Sequence, residues 1–456
     1  MRRLALILLV ACGSQSQKVE LVRTVAGDLV FTDVTVVPMD RDTTVPHQTV
    51  IVRGDKIVAI APSATVEISP GSTKIDGAGK WLMPGLADMH VHTWLETDLT
   101  MFVAAGVTTV RNMWGSDLTL GWRKAIAAGT QFGPTIVTTS PILDGDPPVW
   151  PGSVVLTKPE DVDGVVAGLK GEGYEALKVY ARLEKPVYEA LVVAAKKHGM
   201  TLQGHVPASV GLEGALAAGQ RSIEHLDGWF LALAPGEERK PRESVPAMLR
   251  RLLPKVDEAR IPALAEQMKK AGTYNCATLI VLARMAALDD LPAVEKQVKW
   301  LPLVSEQVRT MWNPKNDFRL SKSTPEDFAT MRASNEVRAK IVRVLATSGA
   351  PMIVGTDTGN PYVVPGESMH DEIELLVAAG ASRPRVMRAA TADAGAFLGL
   401  ASAVGVVTVG ARADLLLVTV DPLVKPLPLV PEGVVLRGKW HPKADLEAKL
   451  AAIARR

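Results

Sequence analysis

Cysteine is almost missing from this chain: Cys12 and Cys276 are the two among 456 residues. That is too few for a disulfide framework, so thiol usage assigns no compartment. A surplus of one charge is missing as well. Lys and Arg number 51 against 49 Asp and Glu, and without Arg2 and Arg3, which precede an apolar run, the signs balance. No basic excess is left to attract nucleic acid. Repeats and low-complexity tracts are absent, and 22% charged with 47% hydrophobic residues is the range of globular domains, which excludes disorder and collagen-like composition. Several catalytic signatures are also absent. There is no Gly-x-Ser-x-Gly elbow, His-Glu-x-x-His pair, Cys-x-x-Cys pair, Walker loop or Gly-x-Gly-x-x-Gly fingerprint, so serine hydrolase, zincin and nucleotide-enzyme readings lose their footing.

The first residues have the form of an export signal. Met1-Arg2-Arg3 is a charged start, and Leu4 to Ala11 is an apolar stretch too short to span a bilayer. Leu9-Val10-Ala11-Cys12 followed by Gly13-Ser14-Gln15-Ser16-Gln17 resembles a bacterial lipobox with a polar tether. The resemblance implies cleavage before Cys12, lipid attachment at that residue, and an exported protein held at a membrane by its lipid alone; an ordinary signal peptide, which would leave a soluble periplasmic protein, or a mis-assigned start codon is the rival reading.

Two stretches read as hairpin-rich sheet: Leu29 to Val37, Gln48 to Val52 and Lys56 to Ile60 around a Gly54-Asp55 turn, and, near the other end, Ala413 to Val418 and Gly433 to Lys439. Between them, apolar strands alternate with helical stretches, the sequence form of a parallel βα architecture. Candidate strands are Trp81 to Met89, Thr108 to Met113, Thr135 to Thr139, Ala176 to Tyr180, Thr201 to His205, Ser222 to His225, Tyr274 to Val281 and Met352 to Gly355. Eight is the number that closes a barrel. After the fourth, Pro186, then Val187, Leu191 and Ala195 at helical spacing, then Gly199, predict one amphipathic helix with its start and stop. The gaps Gly228 to Gly272 and Leu282 to Ala350 are too long for plain connections and predict walls at the barrel rim.

Five potential metal ligands fall at the carboxyl ends of these strands. His90 and His92, at i and i+2, share one face of the first strand; His205, His225 and Asp357 close the fifth, sixth and eighth. A lone strand-end histidine is ordinarily a hydrogen-bonded core residue, and a lone aspartate a helix cap. Five at one rim describe a site. Lys178 interrupts the apolar strand Ala176-Leu177-Lys178-Val179-Tyr180; it reads either as an edge lysine in solvent or as an amine whose pKa is depressed by burial beside cations, reactive toward carbon dioxide.

Pro84 to His92, Gly106 to Arg111, Leu177 to Tyr180, Gly204-His205-Val206-Pro207, Ser222 to His225, Gly355-Thr356-Asp357 and Gly410 to Leu415 together resemble the amidohydrolase superfamily, in its imidazolonepropionase-like and prolidase-like branch. The resemblance runs over residues 27 to 441. It implies an α/β fold, a (β/α)8 TIM barrel over residues 81–400, with a small composite β-sandwich from residues 27–80 and 401–445, after a signal and tether over 1–17. Carried over by position, His90, His92 and Asp357 would hold one divalent metal and His205 and His225 another, with Lys178 bridging them as a carbamate. Zinc suits such ligands, although manganese, iron or cobalt fit the same set. The implied chemistry is hydrolysis of amide or peptide C–N bonds in small substrates, such as Xaa-Pro dipeptides or N-acyl amino acids, by a metal-bridging hydroxide, with Asp357 moving the proton.

The chain departs from the pattern at Asn112, where many relatives carry Asp, and at Pro207-Ala208-Ser209, where prolidase-like members often place a Tyr. Tyr180 and His370 are candidates for substrate contact. For a substrate carboxylate, Arg111, Arg182, Arg221 and Arg284 are candidate partners, and the two long insertions are expected to narrow the rim to short substrates. A single-metal cyclic-amide hydrolase or deaminase, and a non-catalytic surface lipoprotein, are the rival readings; a homo-oligomer is compatible with all of them.

Overall fold

Eight short apolar segments lie side by side in parallel at the centre of the molecule: β1 (Leu86–Val91), β2 (Val107–Asn112), β3 (Thr135–Asp144), β4 (Ala176–Val179), β5 (Leu202–Gly204), β6 (Ser222–Glu224), β7 (Tyr274–Cys276) and β8 (Met352–Ile353). The computed structural model describes residues 21–240, 243–401 and 403–455; the Cys12 lipobox lies outside them. Each strand pairs with the next in sequence, and the last returns to the first. Met89 N donates to Val354 O at 2.8 Å and Asp357 N to His90 O at 2.7 Å. The sheet therefore closes into the (β/α)8 barrel that the strand count predicts. Strands buried on both faces need no polar alternation, which is why β1 and β2 are buried at every residue.

The connecting helices follow from their apolar stripes. Lys185–Lys197 buries Val187, Leu191 and Ala195, carries Pro186 in its first turn and is followed by Gly199 at φ 64°. Full burial of one such leucine stabilises by about 1.5–3 kcal/mol. Pro325–Ser348 starts with a capping box in which Thr324 Oγ1 accepts from Asp327 N and Asp327 Oδ2 accepts from Thr324 N; it buries Val337, Ile341 and Leu345 and stops at Gly349, φ 76°. The two long gaps each contain a helix packed on the barrel, Ile261–Ala271 and Pro325–Ser348, plus extra short helices that build up the rim.

Both ends of the described chain meet in a second sheet. Leu415–Val418 pairs antiparallel with Trp81–Pro84, which lies beside Leu29–Val36. The sheet folds over on itself so that Phe31 meets Trp440 edge to face at 5.4 Å. Two strand expectations need correction. Trp81 to Met89 is not one strand: Trp81–Pro84 belongs to the second sheet and β1 begins at Leu86. The chain changes sheets at Gly85, where a Cβ would fall 2.1 Å from Thr108 Oγ1. Tyr274 to Val281 is likewise a strand only to Cys276, because Thr278 turns at φ 46° and starts the helix Leu279–Ala287.

Candidate active site

The barrel brings all six predicted residues to its carboxyl end. His90 is the penultimate residue of β1 and His92 lies just beyond it; Lys178 is inside β4; His205 and His225 directly follow β5 and β6; Asp357 follows β8. All six line one cavity of about 2760 Å³. The backbone is shaped for this. A Cβ at Gly355 would sit 2.6 Å from His90 N, and one at Gly204 would sit 2.3 Å from Val179 O, so glycine permits the close approaches that place β1 and His205. His225, Thr278 and Asp357 hold φ of 61°, 46° and 62°. Left-handed backbone at non-glycine residues costs about 1–3 kcal/mol each and clusters where function demands it.

The imidazoles are oriented from behind. His90 Nδ1 lies 2.8 Å from Glu224 Oε2, His205 Nδ1 3.0 Å from Asp227 Oδ2 and His225 Nδ1 2.7 Å from Thr278 Oγ1. With Nδ1 engaged, Nε2 of each ring is left to face the cavity, the arrangement a metal-binding histidine needs. The His90 and His225 rings are 4.7 Å apart and the His205 and His225 rings 4.8 Å apart. Asp357 Oδ1 stands 3.3 Å from His90 Nε2 and 3.0 Å from His92 Nε2, yet neither approach has the alignment of a hydrogen bond. Asp357 Oδ1 and His90 Nε2 are buried without a partner among the described residues.

Electrostatics sharpen the picture. Burial lowers His92 to about 4 and His225 well below the usual imidazole range. Burial alone would favour a neutral Asp357, but its neighbours His225 and His90 hold it well below the carboxylate range. Burial brings the Lys178 amine down to about 8, against the opposing pull of Glu224 and Asp357. Buried polar atoms left without a hydrogen bond cost free energy unless a ligand satisfies them. His90, His225 and Asp357 place ligand atoms within 4.8 Å of one another, and with His92 alongside, this donor set fits a divalent cation; His205 and His225 offer imidazoles for a second. A different trio, His90, Glu224 and Cys276, is equally close but is a frame, because Glu224 is already engaged. Arg111 Nη2 reaches both Glu224 oxygens at 3.0 Å and Ser222 Oγ donates at 2.5 Å. Burial favours the neutral form of Glu224, and Arg111 and His90 overcome it and keep the carboxylate ionised.

Arg111 is therefore not a substrate partner. Its Nε also donates to Met89 O and its Nη1 to Gln203 and Ser222, which places it inside the barrel beneath the site. Arg221 stacks on Tyr274 and Phe397, and Arg284 pairs with Asp371 and Gln297. Of the four proposed arginines only Arg182 lines the cavity. His370 is corrected as well: its Nε2 contacts Ala105 O at 2.9 Å, closing the end of the helix Glu96–Ala104, and it does not line the cavity. Tyr180 does, with its ring 4.0 Å from that of His205. Asn112 is a brace: it accepts from Thr93 N and donates to Trp114 O and Thr138 Oγ1. Sequence reasoning missed Glu224, Arg111 and Asp227 as the groups that orient the histidines. The signal that singled out Lys178, a charge inside an apolar strand, would have found the first two.

Comparison with known proteins agrees with this geometry. The model of the amidohydrolase family matches residues 81–441. Among solved structures, a bottromycin amidohydrolase superposes with a TM-score of 0.72 at 27% identity, covering 93% of this chain and 90% of that one. A Xaa-Pro dipeptidase with bound methionine gives 0.68 at 18%, over 91% and 100%, and the ochratoxinase of A. niger 0.63 at 17%, over 92% and 96%; at those identities the likeness is one of fold. An adenine deaminase of Rubrobacter xylanophilus is 38% identical over 77 residues, 16% of this chain and 13% of the deaminase, so the chain matches only a small part of that relative's length. A closed barrel with histidines and an aspartate gathered at its carboxyl rim, and a family match across that whole barrel, lead to one assignment: the chain belongs to the amidohydrolase family, whose members are metal-dependent hydrolases.

Proposed function

We propose that the protein hydrolyses an amide C–N bond next to a free carboxylate, as in dipeptides such as Xaa-Pro and N-acyl amino acids. The observation that carries the reading is the pair of unpartnered buried acceptors, His90 Nε2 and Asp357 Oδ1, set among His92, His205, His225 and Lys178. Divalent ions held by His90, His92 and Asp357 on one side and by His205 and His225 on the other, with a Lys178 carbamate between, would polarise the scissile carbonyl and acidify a water. Zinc is the ion we favour. An amine at about 8 is partly uncharged at neutral pH, the state that captures carbon dioxide. Asp357, whose carboxyl lies well below the usual carboxylate range, would take the proton and return it to the departing nitrogen. Tyr180, which burial pushes to a higher pKa, keeps its proton. Its oxygen accepts from Trp150 Nε1 at 2.8 Å, which leaves the O–H to face substrate. Arg182 supplies a rim cation for the carboxylate.

The test is kinetic. A dipeptide should turn over faster than its carboxyl-terminal amide by about tenfold or more, the scale on which a charge-assisted contact is lost. Equal rates would overturn the carboxylate requirement, and ammonia release from adenine in preference to any peptide would move the activity toward the short deaminase match. Lys178→Met should bind about one metal where the parent binds about two, with a correspondingly depressed rate. A Lys178→Met protein with full metal content and normal rate would remove the carbamate.

A further inference from the structure

Aromatic residues make up only 5% of the chain, with nine Trp in all, yet a continuous row of them runs outward from the metal-ligand set. Trp94 stacks beside His92, ring centroids 6.3 Å apart and planes 19° from parallel. Trp94 meets Trp114 at 5.4 Å, Trp114 meets Trp150 at 5.8 Å and Trp150 meets Phe318 at 5.1 Å. These residues come from four different segments: the loops after β1, β2 and β3, and the long insertion after β7. All four line the cavity, and the row is not buried by the fold. Trp94 is 47% and Phe318 59% exposed. Contiguous apolar surface left open beside a polar site marks a place where a ligand supplies the missing contact.

The row is also braced. Trp150 donates to Tyr180 Oη at 2.8 Å. Arg319 lies 5.1 Å over the Trp150 ring and donates to Asn360 Oδ1 at 2.7 Å, which ties the insertion to the loop that carries Asp357. The Arg319 charge is met by Asp317, with Nε to Oδ1 at 3.0 Å and Nη2 to Oδ2 at 2.6 Å. Its role is therefore to hold the aromatic wall in place, and a substrate carboxylate is left to other cations. A rigid wall loses little conformational entropy when a ring settles on it.

We infer that Trp94, Trp114, Trp150 and Phe318 form a specificity subsite for an aromatic or bulky apolar group next to the scissile bond, so that the preferred substrates are amides of hydrophobic, above all aromatic, acids or amino acids. This rests on the hydrolase reading given above and narrows it. Offset and edge-to-face aromatic packing beyond simple burial provides the discrimination.

Two measurements separate this subsite from the chemistry. In the first, kcat/KM is compared for two N-acyl amino acids that differ only as phenylalanine and alanine. The phenylalanine compound should be preferred by at least about tenfold. Trp114→Ala should cut that preference ratio by a similar factor, and Trp114→Phe should restore most of it. No preference in the parent, or a ratio unmoved by Trp114→Ala in a protein with parental metal content and circular dichroism, overturns the subsite. In the second, which needs no turnover, intrinsic tryptophan fluorescence is titrated with N-acetylphenylalanine and with N-acetylalanine. Saturable quenching by the phenylalanine compound alone, weakened at least about tenfold in Trp114→Ala and Phe318→Ala, supports the subsite even if neither compound is hydrolysed and the proposed reaction fails. Equal responses to the two ligands reject the subsite even if both are hydrolysed.

Discussion

Asp357→Asn is expected to lower kcat by about 10²–10⁴-fold, the range over which a positioned acid or base contributes to catalysis. The substitution keeps the shape of the side chain and leaves the backbone bond from Asp357 N to His90 O untouched, so the barrel closure survives. What it removes is the negative charge and the capacity to take up a proton. In the folded protein that charge stands among His90, His92 and His225, and an amide there would present a donor or a neutral oxygen where the three rings now face a carboxylate. Metal content should fall along with rate, because one anionic ligand is lost. Loss of rate with retained metal would locate the role of Asp357 in proton movement; loss of both would place it first as a ligand. A variant within tenfold of the parent would leave Asp357 with neither role.

The second large effect is on stability. Arg111→Met should destabilise the fold by about 3–5 kcal/mol, the cost of removing one partner from a buried ion pair. Arg111 is 1% and Glu224 0% exposed, and without the guanidinium the carboxylate keeps only Ser222 Oγ and His90 as donors. Urea unfolding should show a lower midpoint with an unchanged slope. Adding Glu224→Gln to Arg111→Met should recover a good part of the loss, since the uncompensated charge is then gone. If the double variant is as unstable as the sum of the two single ones, packing and not charge explains the effect. Because Glu224 also orients His90, both variants should bind metal about 10–100-fold more weakly.

Much of this site is legible in the sequence because the barrel turns position along a strand into position in space. A residue that closes an apolar strand lands on the carboxyl rim, and His90-x-His92, His205, His225 and Asp357 need no tertiary knowledge beyond that. Lys178 is legible by contrast with its neighbours. The frame behind the ligands is not, because it depends on pairings across the barrel: Arg111 and Glu224 lie 113 residues apart and meet only when β2 and β6 curve toward one interior. His370 misleads because a histidine near the start of a helix gives no sign of which neighbour it faces, and here it faces Ala105 O. The continuous apolar run from Trp81 to Met89 hides a change of sheet that one glycine makes possible. The aromatic row is scattered over loops and an insertion, so its four members share no spacing that a linear reading could detect.

The central claim, a hydrolase that depends on metal held by these residues, is tested most directly by elemental analysis coupled to activity. Purified protein should carry about two divalent ions per chain. Chelation should abolish turnover of its best dipeptide or N-acyl amino acid, and metal with bicarbonate should restore it. Replacing His205 with Ala should remove about one ion and most of the rate. Protein that is free of metal and fully active after chelation would contradict the account.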